Sequence, residues 1–451
     1  MTSKDDLERL NAIENALLNR WPESRIAPTL ERIAALVDVL GSPQLSYPTI
    51  HIAGTNGKTT TTRLIDSLCF ELGMRTGRFT SPHLESFLER ISINGEPISA
   101  EGMIATYNDI ALYLDLIDSK MPNKLSFFEA MCALSFVAFA EFPVDVGIFE
   151  CGMGGEWDST NVINAAVSVI TPIGFDHMEY LGDTLEKIAT TKSGIIKDGS
   201  FAVLARQEPE VAQVLMHKAA TVDATPIREG IEYSVKSRAL AVGGQLISIA
   251  GVYGEYNDLF LPLHGAHQAA NAATAIAAVE VFAGESKLDE EVVREALVNA
   301  TSPGRCEIVM RNPTVIIDAA HNPHGAVSLK RTLADEFDFD AVIGVVAPMG
   351  DKDVEGILEE FENVMNRIIV TRNSSHRAAS VDELYDSAIQ IFGSERVSKS
   401  ESLHSAIAEA IEQAKLENAV NDHNTAVVIA GSVVSAGESR AIVRKLKESR
   451  S

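Results

Sequence analysis

Short apolar segments alternate with helical patterns along most of this chain, and this alternation constrains its fold more than any other feature. Leucines recur with helical spacing at Leu64, Leu68 and Leu72, for example, between two apolar segments. Parallel strands need long crossover connections, whereas antiparallel strands need only turns, so the alternation predicts an α/β fold with a mostly parallel sheet. The predicted strands are 49–53, 144–150, 166–171 and 201–205.

The flanks of this region have patterns of their own. Residues 5–40 predict two amphipathic helices, and residues 267–283 predict an alanine-rich helix. Between apolar runs in 239–262, the pair Gly243-Gly244 predicts a small antiparallel section in the form of a hairpin.

The segment Thr301-Ser302-Pro303-Gly304 is rich in turn residues and is typical of a linker. Beyond it, strands alternate with helices again, which predicts a second, smaller Rossmann-like α/β domain. We therefore predict one domain over 1–301 and another over 302–451. The strands predicted in the second domain are 314–318, 341–347, 367–371 and 426–430.

Composition argues against several classes of protein. The chain has 38 basic and 63 acidic residues, a net charge of −25, so its surface repels phosphate backbones and we expect no nucleic-acid partner. The most apolar stretch, 130–142, is shorter than the ~18 residues of a membrane span, and the N-terminus lacks a signal-peptide core, so we expect no membrane partner. Four scattered cysteines form no CxxC pair and favour a reduced, cytoplasmic protein.

The segment HIAGTNGKTT, residues 51–60, connects a predicted strand to a predicted helix. Such a loop presents backbone N–H groups to phosphates, with Lys58 as a point charge and the Thr59 hydroxyl as a Mg²⁺ ligand. The GxxxxGK[ST] pattern would require glycine where Ile52 stands, so this is a shortened phosphate loop.

Three further residues follow predicted strands or helices. Glu150 ends a strand before a glycine-rich turn, where it either reaches a metal or is a solvated acid. His177 follows the next strand and is either a ligand or a structural histidine. From its spacing in the sequence alone, Lys192 is interpreted as a solvated lysine.

A series of motifs runs along nearly the whole chain. In order, they are HIAGTNGKTTTT, FTSPHLESFLERISINGEPIS, SFFEAMCALSF, ECGMGGEWDSTNVI, GFDHMEYLG, KSGIIK, HGAHQAANAATAI, PGRCE, DAAHNPHGA, MGDKD and AGSVVSAGESR. Together they resemble the folylpolyglutamate synthase/dihydrofolate synthase family, within the wider group of Mur-type cell-wall amino-acid ligases. The resemblance implies an ATP-dependent ligase that adds L-glutamate to dihydropteroate, or to tetrahydrofolate or another folate, through an acyl phosphate.

The resemblance also implies roles for matching residues. Residues implied to bind ATP are Thr55, Asn56, Gly57, Lys58, Thr59, Thr60, Gln268, Asn271, Arg305 and Asp318. Ligands implied for two Mg²⁺ sites are Thr59, Ser81, Glu150, His177 and the carbamate that Lys192 would form with CO₂. Residues implied to lie near the pterin substrate are Pro28, Thr29, Ser81, Phe127, Phe128, Glu129 and Asp158. The implied catalytic residues are Lys58, Lys192, Arg305 and His321.

Two of these sets have plain structural alternatives. Gln268 and Asn271 lie one turn apart on a helix and could serve helix packing, and Phe127 and Phe128 could simply belong to the core.

The resemblance further implies a monomer and a K⁺ or other monovalent cation. The chain departs from the family at GKTT, where GKGS is common, and at Glu156, Thr191 and Ala319, where Arg, Glu and Gly are common.

Other functions predict different features. A cell-wall ligase would need an additional N-terminal domain, but only about 50 residues precede the phosphate loop, too few for one. An inactive binding module would be expected to lose Lys58, Glu150 or Lys192, all of which are present. A P-loop NTPase switch would hydrolyse ATP without regard to folate or glutamate. A fourth alternative is folylpolyglutamate synthase activity alone.

Overall fold

The computed structural model describes residues 4–21, 27–421 and 423–448. They form two compact units. Unit 1 comprises the described residues of Met1–Ala241, Gln245–Pro262 and Gln268–Thr301. Unit 2 comprises those of Val242–Gly244, Leu263–His267 and Ser302–Ser451.

Unit 1 contains a large, mostly parallel sheet and a small antiparallel one. The large sheet is formed by β1 (Thr49–Ala53), β2 (Thr76–Phe79), β3 (Ile91–Ile93), β4 (Glu96–Pro97), β5 (Val146–Glu150), β6 (Val167–Ile170), β7 (Phe201–Leu204) and β8 (Thr225–Arg228). The small sheet is formed by β9 (Ser234–Ala241), β10 (Gly244–Ala250) and β11 (Glu255–Leu261).

The large sheet has the order β4-β3-β2-β5-β1-β6-β7-β8. The pairs from β2 to β8 are parallel, and β3 and β4 extend the edge in antiparallel fashion. β1, β2, β5 and β6 are buried along their whole length, which is why the sequences of β1, β5 and β6 are mostly apolar rather than alternating.

Helices α3–α8 lie between strands of the large sheet, while α1 and α2 precede its first strand and α9 and α10 follow the small sheet. Their bounds are α1 (Lys4–Leu18), α2 (Glu31–Val39), α3 (Lys58–Glu71), α4 (Ala100–Lys120), α5 (Phe127–Glu141), α6 (Met178–Leu181), α7 (Leu185–Ser193), α8 (Pro209–Thr221), α9 (Ala266–Phe282) and α10 (Glu290–Val298). The most apolar of the long helices, α5, is buried on nearly all sides and packs two aromatic rings, Phe136 and Phe139, against Phe149 of β5, which Tyr47 and Phe79 also contact. No helix within the described residues is both long and apolar enough to span a bilayer.

Unit 2 has a sheet of its own with the order β12-β13-β17-β14-β15-β16, parallel except for the pair β12–β13. Its strands are β12 (Glu307–Arg311), β13 (Thr314–Ile317), β14 (Ala341–Val346), β15 (Arg367–Val370), β16 (Val397–Lys399) and β17 (Thr425–Ala430). Its helices are α11 (Pro323–Glu336), α12 (Val354–Glu362), α13 (Val381–Phe392), α14 (Leu403–Asn421) and α15 (Val433–Glu448).

A buried carboxylate ties the short segment 263–267 to the rest of unit 2. Glu336 of α11, only 2% exposed, accepts a hydrogen bond from the backbone N–H of Gly265 at 2.7 Å and contacts His264 Nδ1 at 3.0 Å. The segment therefore belongs to unit 2, although both of its neighbours in the chain belong to unit 1.

The α/β fold, its parallel sheets and the main predicted strands are confirmed, with strand ends shifted by one or two residues. The hairpin predicted over 239–262 is part of a three-stranded sheet that begins at Ser234. Short strands such as β2 were not predicted because their sequences are partly polar. Arg78 of β2 is buried and forms an ion pair with the buried Asp66 of α3, and an apolar pattern cannot reveal such a residue.

Candidate active site

The phosphate loop and two of the strand-end residues meet at one edge of the large sheet. β1 lies between β5 and β6, and the three strands run parallel, so their carboxyl ends lie side by side. The phosphate loop follows β1, Glu150 is the last residue of β5, and the loop that carries His177 follows β6. This is where ligands bind in open parallel sheets.

Two glycines let the phosphate loop approach its neighbours. A Cβ on Gly54 would lie 1.9 Å from Thr171 Oγ1, and a Cβ on Gly57 would lie 2.7 Å from Asn271 Oδ1. Gly57 also has a φ of +88°, which side chains disfavour. The loop ends at Lys58, the first residue of α3, whose first-turn N–H groups have no acceptor within the helix and can bind phosphate.

Asn271 lies directly against this loop and pairs with Gln268. Both are buried, and the Asn271 amide donates to Gln268 Oε1 at 2.9 Å. Their pairing agrees with the helix-packing alternative, and the contact of Asn271 with Gly57 agrees with a nucleotide-binding role as well. Their role in ATP binding stays a prediction.

Two lysines converge on one backbone carbonyl. Lys58 Nζ donates to Gly54 O at 3.1 Å and to Thr55 O at 3.0 Å, and Lys192 Nζ donates to Gly54 O at 2.7 Å. Burial, with a smaller effect of the Lys58 charge, lowers the pKa of Lys192 to about 7. The interpretation of Lys192 as a solvated lysine is wrong, because its side chain is buried and much of it is a neutral amine near neutral pH.

Oxygen atoms cluster beside the phosphate loop. The buried Glu150 accepts a hydrogen bond from the Thr59 hydroxyl at 2.7 Å and lies 3.4 Å from the Ser81 backbone nitrogen, which donates to it. Ser81 Oγ is buried without a hydrogen-bond partner. A carboxylate and two hydroxyls, one of them unsatisfied, fit Mg²⁺, which prefers oxygen ligands and keeps several waters.

His177 belongs to the same edge but to another part of it. It has a φ of +51° at the start of α6, and its Nε2 lies 3.8 Å from an oxygen of Asp176. Nowhere in 4–21, 27–421 or 423–448 do three or more His, Cys, Asp or Glu side chains gather closely enough to hold a metal. Any site built on Glu150 or His177 therefore depends on hydroxyls, water, substrate or a modified Lys192.

Two of the acids assigned to the pterin substrate have extensive protein partners. Asp158 is buried and accepts hydrogen bonds from Met153 N, Thr160 N and the Thr160 hydroxyl. Burial raises the pKa of Asp158 despite these bonds. Glu129 pairs with Arg32 Nε at 2.9 Å. It also accepts a hydrogen bond from the backbone N–H of Ser126, the residue that caps the start of α5.

The remaining pterin candidates divide between core and surface. Phe127 is buried under the Arg90 guanidinium, 4.9 Å from its ring centre, and the partly buried Phe128 packs on Phe79. Pro28 and Thr29 line a cleft of about 280 Å³ at the start of α2. Core packing thus accounts for Phe127, while Phe128 and the cleft keep some accessible surface.

Replacing Glu129 with alanine is expected to reduce the free energy of unfolding by about 3 kcal/mol, because it leaves the Arg32 charge buried and removes one of the two hydrogen bonds of the capping box of α5. Urea unfolding followed by circular dichroism measures this, with the exposed Glu101→Ala as the control. A loss below about 1 kcal/mol would show that the pair behaves as an exposed one and would leave Glu129 free for substrate.

In unit 2, Asp318 follows β13 and orders the loop that carries Arg305. Its two carboxylate oxygens accept the N–H groups of Cys306 and Ala320, each at 2.7 Å, and burial raises its pKa. Cys306, just after Arg305, has a φ of +47°, which non-glycine residues adopt rarely. The Asp318 carboxylate stabilises this turn by accepting the Cys306 N–H. His321 Nδ1 lies 2.9 Å from Ala319 O.

Sequence reasoning missed a buried polar chain behind the phosphate loop. His51 Nε2 of β1 lies 2.7 Å from the Thr160 hydroxyl and 3.1 Å from Cys151 Sγ. Burial lowers the pKa of His51 to about 3, so the ring is neutral. A histidine inside an otherwise apolar strand was the available signal, because a buried imidazole needs polar partners.

Comparison with known proteins agrees with this geometry. The Mur ligase middle domain matches residues 52–279, and the Mur ligase glutamate ligase domain matches residues 304–433. The dihydrofolate synthase/folylpolyglutamate synthase of Mycobacterium tuberculosis is 48% identical over 97% of this chain and 94% of its own length. The enzyme of the same name from Bacillus subtilis is 38% identical over 80% of this chain and 85% of its own length.

Solved structures give the same result. Mycobacterium tuberculosis folylpolyglutamate synthase complexed with ADP superposes with a TM-score of 0.93, at 48% identity, covering 97% of this chain and 98% of that one. Escherichia coli FolC in complex with DHPP and ADP superposes with a TM-score of 0.84, at 27% identity, covering 97% and 98%.

The fold and the phosphate-loop edge thus define an ATP-dependent ligase of the Mur type, one that attaches glutamate. Within that class, the chain belongs to the dihydrofolate synthase/folylpolyglutamate synthase family.

Proposed function

We propose that this enzyme uses ATP to join L-glutamate to dihydropteroate, and to folates that already carry glutamate. The observation that carries the proposal is the buried Glu150 carboxylate, bonded to Thr59 of the phosphate loop and adjacent to the unsatisfied hydroxyl of Ser81. The names of its relatives supply the substrates, since they are called dihydrofolate synthases as well as folylpolyglutamate synthases.

A carboxylate does not react with an amine directly, because its leaving group would be an oxide. Transfer of the γ-phosphoryl group of ATP to the substrate carboxylate gives an acyl phosphate, whose phosphate leaves readily. The α-amino group of glutamate then attacks the acyl carbon, and an amide, ADP and phosphate result. Such a reaction requires positioning and charge stabilisation more than covalent chemistry by the protein.

Residues of unit 1 would provide that stabilisation. Lys58 would turn from its two carbonyl partners to the phosphates, beside the first-turn N–H groups of α3. Bound Mg²⁺ would neutralise charge on the transferring phosphoryl group, and Thr59, Ser81 and Glu150 fit one such site. His177 and a carbamate of Lys192 are proposed for the second, and a monovalent cation is proposed in addition.

Unit 2 would complete the enzyme. We propose that Arg305 stabilises the phosphoryl group, that Asp318 orders the Arg305 loop and contacts the nucleoside, and that His321 faces the reacting groups. The described cysteines, Cys69, Cys132, Cys151 and Cys306, are all buried and form no disulfide, which supports a reducing compartment, the cytoplasm. A monomer is expected.

Labelling the substrate carboxylate with ¹⁸O tests the acyl-phosphate route. One carboxylate oxygen must leave with phosphate when the amine attacks, so the released phosphate is expected to carry one ¹⁸O for each amide formed. With dihydropteroate the label is placed in its benzoate group, and phosphate is analysed by mass spectrometry after each turnover assay.

Assays that omit glutamate or the pteroate substrate serve as controls. A P-loop switch would release unlabelled phosphate whether or not these substrates are present. Unlabelled phosphate released together with amide would contradict the acyl phosphate, and activity on tetrahydrofolate but not on dihydropteroate would restrict the function to folylpolyglutamate synthesis.

A further inference from the structure

Thr55 of the phosphate loop has its backbone N–H and its hydroxyl bonded to the loop after β6, while its carbonyl accepts a hydrogen bond from Lys58 Nζ. Its backbone N–H donates to Pro172 O at 3.0 Å, and the N–H of Asn56 is directed to the same oxygen at 3.3 Å. The side chain is almost fully buried. These two N–H groups are therefore already used within the protein.

The Thr55 hydroxyl makes a two-way contact with a single residue of the loop after β6. It donates to Gly174 O at 3.0 Å and accepts the Gly174 N–H at 3.1 Å. A hydroxyl can donate once and accept at the same time, so one side chain satisfies both backbone groups. Valine has the same shape but would leave both groups without this partner.

The loop after β6 is held from its other side as well. Gln207 accepts the Ile173 N–H at 3.0 Å and donates to Thr171 O at 3.1 Å. His177 lies three residues beyond Gly174, in a backbone conformation that side chains adopt rarely. The position of its imidazole therefore depends on how firmly residues 171–174 are fixed.

We propose that Thr55 is a positioning residue for the metal site, whose hydroxyl fixes the His177 loop to the phosphate loop. This proposal rests on the proposed function, because it takes His177 as a Mg²⁺ ligand. Thr55 would then contribute to metal binding through Gly174 and not through contact with ATP. Mutation of a group that orients a metal ligand typically costs about 10- to 100-fold in metal affinity.

Binding of Mn²⁺ in the presence of a non-hydrolysable ATP analogue, followed by electron paramagnetic resonance of the full-length protein, tests this proposal. We expect Thr55→Val to raise the Kd for Mn²⁺ about tenfold or more, while Thr55→Ser, which keeps the hydroxyl, stays within about threefold. Affinity for the analogue in EDTA should change less than about threefold in both variants, because Thr55 does not contact the phosphates.

A matched control is Thr62→Val, which removes another buried hydroxyl, one that donates to Lys58 O within α3 at 2.9 Å. It should leave Mn²⁺ binding within about threefold of the original protein. Equal weakening by Thr62→Val and Thr55→Val would reduce Thr55 to a general structural role and overturn the proposal. So would a Thr55→Val protein that loses the analogue in EDTA, or one that binds Mn²⁺ normally. Thr55→Ala provides a second variant without the hydroxyl if Thr55→Val does not fold, with the same expected result.

His177→Ala separates this proposal from the proposed function. If it leaves Mn²⁺ binding unchanged, His177 is not a metal ligand and both fail. If it weakens Mn²⁺ binding while Thr55→Val does not, only the role of Thr55 fails.

Discussion

Replacing Lys58 with alanine is expected to abolish ligation while leaving the fold intact. Lys58 contributes two hydrogen bonds to carbonyls of its own loop and is partly exposed, so its loss removes little packing. In the reaction, by contrast, it would offset the charge of the transferring phosphoryl group. Steady-state release of ADP measures kcat, and circular dichroism during urea unfolding checks the fold.

Lys120→Ala, an exposed change at the end of α4, is the control and should turn over normally. Retention of more than about a tenth of kcat by Lys58→Ala, equivalent to less than ~1.4 kcal/mol of barrier, would contradict the phosphate role.

Lys192→Ala is expected to be inactive and to regain part of its activity with a short carboxylic acid at roughly millimolar concentration. The acid would occupy the vacated space beside Gly54 and supply the anion that the proposed carbamate of Lys192 would supply in the original protein. Its burial and lowered pKa make Lys192 suited to react with CO₂, because only a neutral amine does so. Turnover is measured with acetate and formate in CO₂-depleted buffer.

Lys187→Ala is the control, because Lys187 lies on the same helix, α7, but its amine is exposed and paired with Asp183. This variant should neither lose activity nor respond to acids. Full activity of Lys192→Ala without acid, in CO₂-depleted buffer, would rule out the carbamate.

The sequence was sufficient to predict the elements that position the site. Strand β1, the GKTT loop and α3 could be located because the strand is mostly apolar and the helix has a clear period. Glu150 and His177 could be placed at strand ends for the same reason. Their proximity at one sheet edge followed from parallel pairing.

Other properties depend on contacts between residues distant in sequence, which no local pattern reveals. Lys192 looks solvated in its own segment, but it is buried and donates to Gly54 O. The segment around Thr55 gives no sign of its contact with Gly174, more than a hundred residues away in the chain. The segment around Glu129 likewise gives no sign of its pairing with Arg32, and the substrate role of Glu129 stays a prediction.

The pairing of Glu336 with segment 263–267 limits where this protein can be divided. The turn-rich residues 301–304 invite cleavage or separate expression from Ser302 onward. A fragment made that way would lack His264 and Gly265 and would leave the Glu336 carboxylate, 2% exposed, without those two partners. Each unit is assembled from non-contiguous stretches of chain, so half-proteins made for crystallisation or complementation would have to carry residues 263–267 with the C-terminal half.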